Sequence, residues 1–341
     1  MKLLGLSDGR PMGNSEVLLK EAMMGAEEVV SGLDVEVIRL QYLTIKPCIG
    51  CWKCTNPKLK EWRCVNEKTD HMSYLVKKLS EADGIIFSFP SYAITAPSAF
   101  FAIRDRLVPG RRNIKKKQKV GGYITVGGSD WINLCLPLVP IWLWTVMKTV
   151  DQMFVPFTAT LGQVVLNTEA MARARKLGRN IGKAMKMPYD EVKYVGEAIK
   201  VSDAEVKYLS KTMEMPEDYI RWVTEEEDHC PICHSNLLQL RGKHVRCAVC
   251  DVKGTIKIVG DKITVTYDEE ELKKVRAGPI EGARHGHLVQ HSIKLYEEKK
   301  EEIRQKVQKY MEYGNITAPP TLPGQKPVKL VVDWVDRQAI H

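Results

Sequence analysis

The chain has 341 residues, 44% of them apolar and 27% charged, with a net charge of +9. These values exclude wholesale disorder and a small disulfide scaffold, and leave room for one large domain with an appendage or for two ordinary domains. The N-terminus, MKLLGLSDGR, has too short an apolar run for a signal peptide. The most lipid-like stretch, residues 132–147, is short and carries Pro137 and Pro140, so a cytoplasmic protein that does not enter a membrane is expected.

In chain order, KLLGL reads as a buried strand. NSEVLLKEAMMGAEEVV then sets Val17, Leu18, Ala22, Ala26, Val29 and Val30 at helical spacing. DVEVIRL is a second strand, followed by a cysteine-bearing loop and a helix from His71 to Ala82. GIIFSFP is a third strand, apolar nearly throughout, as a strand covered on both faces should be. APSAFFAIRDRL is helical with Pro97 near its start. RRNIKKKQK, residues 111–119, carries much of the positive charge. It reads first as a solvated loop, then as a dock for an acidic redox partner or anionic cofactor, with nucleic acid less favoured. VGGYITVGG is a fourth strand, residues 132–147 a fourth helix, GQVVLN a fifth strand and EAMARARKLGRNIGKAM a closing amphipathic helix. Strands alternating with helices over residues 1–187 predict an α/β fold: a flavodoxin-like, doubly wound, five-stranded parallel sheet. A helical linker at 188–228, a zinc ribbon at 229–270, and a C-terminal helix with an extended tail at 271–341 complete the expected organisation.

Ligands of such sheets sit beyond the carboxyl ends of the strands, and three loops there are suggestive. SDGRPMGNSE offers Ser7, Arg10, Asn14 and Ser15 just before a helix, whose unpaired amides and dipole favour an anion. It lacks both the P-loop and the dinucleotide glycine pattern. FPSYAITAPS brings Pro90, Ser91, Tyr92 and Thr95, and TVGGSDW brings Gly127 and Gly128, where a flat ring can approach the backbone. A plain turn is the bland reading of each loop alone. Together they provide a phosphate seat, polar edges and a planar slot.

These loops, with IKPCIGCWKC and ADGIIFSFPSY, resemble the iron–sulfur flavoprotein family within the NADPH-dependent FMN reductases of flavodoxin-like fold. The resemblance covers about residues 1–187. It implies FMN, with Ser7, Arg10, Asn14, Ser15 and Glu16 near its phosphate and Pro90, Ser91, Tyr92, Thr95, Gly127 and Gly128 beside its ring system. It also implies a homodimer or homotetramer, in which the apolar stretch near Trp142 and Trp144 is the expected contact.

CIGCWKCTNPKLKEWRC holds Cys48, Cys51 and Cys54 at intervals of three, with nine residues between Cys54 and Cys64. Thiolates so close on one loop suit a [4Fe–4S] cluster better than zinc, which draws ligands from two knuckles; reduced structural thiols are the third alternative. Trp52 and Trp62 either exclude water there or simply pack. Cys135 stands alone and reads as a small buried apolar residue.

A second group pairs Cys230 with Cys233 and Cys247 with Cys250, with thirteen residues between the pairs. Two such knuckles can place four sulfurs tetrahedrally, so Zn2+ is expected, with mononuclear iron as the alternative. His229, His234 and His244 read as bystanders, and His285, His287 and His291 as a solvated helix start or as groups reaching over a site. The expected function is an FMN- and cluster-dependent oxidoreductase. It would take electrons from NAD(P)H or reduced ferredoxin and pass them to a small-molecule or protein acceptor, with Tyr92 a proton donor. The alternatives are a redox-sensing regulator that binds nucleic acid and a plain electron carrier.

Overall fold

The computed structural model describes residues 1–51, 53–55, 64–92, 95–114, 117–128, 135, 147–159, 161–196, 202–224, 230–231, 237–248, 252–260, 262–267, 269–273, 298 and 301. Strands β1 (Lys2–Ser7), β2 (Asp34–Arg39), β3 (Gly84–Pro90), β4 (Val120–Val126) and β5 (Lys148–Val155) form one sheet in the order β2-β1-β3-β4-β5. Every pairing in it is parallel. Helices α1 (Asn14–Glu27) and α4 (Thr168–Met185) cover one face, and α2 (Met72–Glu81) and α3 (Ser98–Ile114) the other. The expected doubly wound, flavodoxin-like architecture is thus present, and its strand order reverses between β1 and β3.

The two faces are built differently. Beneath α2 and α3, Phe87, Phe89 and Phe100 stack with centroids 5.0–6.1 Å apart. Each such buried ring contributes about 1.5–3 kcal/mol. On the opposite face α1 and α4 approach backbone to backbone. A Cβ at Gly178 would lie 1.6 Å from the Ala22 carbonyl oxygen, and one at Gly25 2.1 Å from that of Arg175. No side chain fits at either place, so the closeness of these helices depends on glycine.

The fifth strand is not where periodicity put it. GQVVLN is a single 3-10 turn, Gln163–Leu166, entered through Gly162 at φ +70° and leading into α4, whose N-cap is Asn167. The edge strand is KTVDQMFV. Its polar look is misleading because Asp151 is fully buried. Its carboxylate pairs with Arg173 and accepts from Asn180 Nδ2 at 2.8 Å and from the Gln152 amide at 2.7 Å. Of the expected fourth helix only Cys135 and Met147 fall within the described residues; of the C-terminal helix and tail expected at 271–341, residues 271–273, 298 and 301 do.

After residue 187, α5 (Asp203–Met213) and α6 (Glu217–Thr224) lay Val206, Leu209 and Ile220 against Phe157, just past β5. A separate antiparallel sheet follows, in the order β6 (Leu238–Arg241), β7 (His244–Cys247), β8 (Lys253–Val259) and β9 (Lys262–Tyr267), with α7 (Glu269–Lys273) beside it. Among the described residues no helix is long and apolar enough to cross a membrane.

Candidate functional site

At the carboxyl ends of β1, β3 and β4 the three loops meet. Ser7 and Asp8 are buried, and the Asp8 amide donates to the Ser88 carbonyl at 2.9 Å, which ties the first loop to β3. Gly9 has φ +102°, and a Cβ there would meet the Pro90 ring at 3.0 Å. Glycine is therefore required both for the turn and for the contact. Ser15 Oγ donates to the Asp8 carbonyl (2.9 Å), and Ser88 Oγ to the Ser15 carbonyl (2.7 Å). In the second loop Ser91 donates its amide to Val126 at 2.7 Å, while Tyr92 and Thr95 exchange backbone bonds of 2.8 and 3.2 Å. Gly127 closes the third, donating to Val155 and accepting from Thr158.

Among the described residues, Asp8 Oδ2 and Thr95 Oγ1 are buried here without a hydrogen-bond partner. Asp8 Oδ1 accepts only from the Gly9 amide at 2.9 Å, and burial pushes the Asp8 carboxyl above its ordinary value. A buried acid held toward its neutral form can donate to a ligand oxygen rather than repel an anion. Buried oxygens without a described partner at the strand ends fit a polar ligand such as a phosphorylated flavin.

Not every expected residue faces that space. Arg10 is exposed and donates to the Ala159 carbonyl at 3.1 Å. Asn14 uses both ends of its amide as a strut, donating to the Thr158 carbonyl at 2.8 Å and accepting from the Val164 amide at 3.0 Å. Glu16 is buried with Arg39 (2.8 and 2.9 Å) and Lys20 (2.7 Å). Hydrogen bonding from Arg39, then from Lys20 and the Met12 amide, pulls its carboxyl down to about 2. Tyr92 is 52% exposed at the rim. Sequence reasoning passed over Thr158 and Arg39, while Cys135 is fully buried, as its reading as a small apolar residue expects. A cavity of about 820 Å³ lies beyond β5, between α4 and α5, and touches the loops only at Thr158. There Glu205 is raised to about 7, by burial first and then by its bond with Glu169.

Cys48 is exposed, and Cys51, Cys54 and Cys64 are half-buried. Burial and then the charges of Cys64, Cys51 and Cys48 push the Cys54 thiol up to about 11, so the four sulfurs lie within electrostatic reach of one another. No three metal-binding side chains are gathered at ligating distance among the described residues. In the small sheet, Cys230 and Cys247 are fully buried and cluster with Val252, Leu238 and Tyr267. Cys233, Cys250, Trp52, Trp62, Trp142, Trp144, His229, His234, His285, His287 and His291 lie outside the described residues.

Residues 1–160 match the NADPH-dependent FMN reductase family. Over 130 residues the chain is 35% identical to an iron–sulfur flavoprotein of Methanocaldococcus jannaschii, which covers 38% of this chain and 63% of that protein. The chain thus spans less than two thirds of that relative. A flavone synthase of Aspergillus candidus is 24% identical over 286 residues, covering 76% of this chain and 80% of its own. A solved structure of a flavone reductase superposes with a TM-score of 0.63 at 26% identity, covering 94% of this chain and all of that one.

Proposed function

We propose that this protein is an FMN-dependent oxidoreductase that moves electrons from NAD(P)H or reduced ferredoxin to a flat, conjugated organic acceptor. The observation that carries this reading is the meeting of the three loops at the strand-order reversal, where Asp8 Oδ2 and Thr95 Oγ1 are buried and have no hydrogen-bond partner among the described residues. The match of residues 1–160 to the NADPH-dependent FMN reductases supports FMN as the ligand. Bound FMN supplies a carrier that takes up a hydride and gives up electrons singly or in pairs. Ser7, Ser15, Arg10 and the amides opening α1 would hold the phosphate. Asn14 and Glu16 would shape that seat by bracing Thr158 and Arg39. Pro90, Ser91, Tyr92, Thr95, Gly127 and Gly128 would line the ring, and Tyr92 at the rim would donate a proton to the acceptor.

The two likenesses that run over most of the chain are to proteins named for flavones, which supports an aromatic enone as acceptor. The cysteine loop supports a [4Fe–4S] cluster on Cys48, Cys51, Cys54 and Cys64, and the small sheet supports Zn2+ on Cys230, Cys233, Cys247 and Cys250. A plain electron carrier is the second reading, favoured by the likeness to the iron–sulfur flavoprotein. Anaerobic stopped-flow with FMN-loaded protein separates the two. The proposal expects NADPH or reduced ferredoxin to bleach the flavin and a flavone or chalcone to restore its colour. Reduced flavin untouched by every enone, yet reoxidised by a one-electron protein acceptor, would move the function to the carrier.

A further inference from the structure

The small antiparallel sheet has two faces of opposite character. Its registers pair Val245 with Gly254 and Ile256 with Val265 on one side, which also carries Cys247. On that side Leu272 of α7 packs with Cys230, Cys247 and Val252. The same pairings define the other face. Gln239 lies opposite Arg246, and Arg246 opposite Lys253; Arg241 lies opposite His244, and His244 opposite Thr255. Thr255 and Lys257 continue the rows to Thr266 and Thr264 on β9. Successive residues of a strand alternate in direction, so these positions share one surface. All of them are exposed, whereas Val245, between His244 and Arg246, is buried.

This exposed face is cationic without local compensation. The strands LQLR, HVRC, KGTIKIV and KITVTY contain no Asp or Glu. Arg241, Arg246, Lys253 and Lys257 are gathered on it, and Lys243 is exposed in the turn between β6 and β7. Arg246 directly opposite Lys253 sets like charges side by side, an arrangement that weakens a sheet when nothing anionic covers it. Neighbouring positions on such a face are about 5 Å apart across strands and about 7 Å along them. The surface therefore favours a partner that presents anions repeatedly over a similar span.

We propose that this face binds the phosphate backbone of a nucleic-acid duplex without reading its sequence. The inference is independent of the flavin and cluster readings. Arg, Lys, Thr and Gln are side chains that contact phosphate and sugar oxygens, and they make up most of this surface. A protein partner would call for an apolar or aromatic centre in the patch, with lysine kept to its margin. Here lysines stand in the middle of β8, and the apolar Val259 lies at the end of that strand, before the turn to β9. Among the described residues no aromatic ring belongs to this face, because Tyr267 pairs with Gly254 on the opposite side. Unpaired bases would find nothing to stack on, which favours a duplex over a single strand.

The test is fluorescence anisotropy of a short, labelled DNA duplex of mixed sequence, titrated with the full-chain protein isolated without air. With a phosphate met by each of Arg241, Arg246, Lys253 and Lys257, affinity should fall about 100-fold between about 50 and 200 mM salt. A duplex of scrambled sequence should bind equally well. The double variant Lys253→Gln/Lys257→Gln should bind about tenfold more weakly at low salt and lower the salt slope by about 2. Both side chains are exposed, so its melting temperature and FMN content should match the parent. A parent that leaves the duplex unbound at low salt overturns the inference, as does binding that the double variant leaves unchanged. Binding lost instead in Lys115→Gln/Lys116→Gln would move it to the basic stretch 111–119 and overturn it too. Displacement of the duplex by poly-glutamate as readily as by unlabelled DNA would make the partner an acidic protein and overturn the choice of nucleic acid.

Discussion

The two cysteine groups of this chain look alike on paper and sit in opposite surroundings. Cys230 and Cys247 are fully buried among Val252, Leu238 and Tyr267, in a small sheet with little other core. Cys48, Cys51, Cys54 and Cys64 hang from a large, fully packed α/β unit on a loop, with one sulfur exposed and three half-exposed. Sulfur that is part of a core holds a fold together. Sulfur displayed at the rim of a fold that is already complete is free to serve chemistry. Spacing alone distinguishes these cases poorly; what packs around each sulfur distinguishes them well.

The largest effect that would break this comparison is in the small sheet. Cys247→Ser should abolish zinc binding and unfold residues 230–270, because structural zinc supplies roughly 10–16 kcal/mol to units of this kind. Metal analysis and limited proteolysis would show that segment cut while residues 1–187 stay intact with FMN bound. In the α/β unit a disruptive change must reach the core. Asp151→Ala, which removes a fully buried carboxylate and leaves the half-buried Arg173 without it, should cost about 3 kcal/mol in chemical denaturation. A cost below 1 kcal/mol would remove Asp151 as the explanation for a polar edge strand.

A smaller effect concerns pH. Glu16 is held at about 2, below the ordinary 4.5, chiefly by Arg39. A carboxylate depressed in the folded state contributes stability that is complete above 4.5 and is lost as pH falls toward 2. The α/β unit should therefore lose about 2 kcal/mol between pH 5 and pH 3, and Glu16→Gln should flatten that slope. The smallest effect on folding is expected at the other cysteine group. Cys51→Ala should empty the loop of iron yet shift stability by less than about 0.5 kcal/mol, as surface changes generally do. A cooperative loss of the whole sheet on that substitution would erase the distinction between the two groups.

Much of the fold could be read from residues in order. GIIFSFP and VGGYITV are apolar on both sides, and β3 and β4 are covered on both sides. The fifth strand escaped because burial by pairing leaves no apolar trace: Asp151 is hidden by Arg173 and Asn180, which lie 22 and 29 residues away. GQVVLN misled for the converse reason. It is a turn leading into α4, too short to show any period, and of its apolar residues only Val164 is buried. At the site, the loop hydroxyls and glycines could be located from sequence, but their duties could not. Asn14 and Glu16, expected near the phosphate, hydrogen-bond the Thr158 carbonyl and Arg39, partners that no spacing announces.

The central claim, that flavin and an iron–sulfur centre share one sheet edge while zinc serves a separate fold, is tested most directly by cofactor analysis of protein isolated without air. The account predicts flavin bands over broad iron–sulfur absorption, with roughly four irons, one flavin and one zinc per chain. A colourless protein that binds no added FMN and contains zinc alone would contradict it.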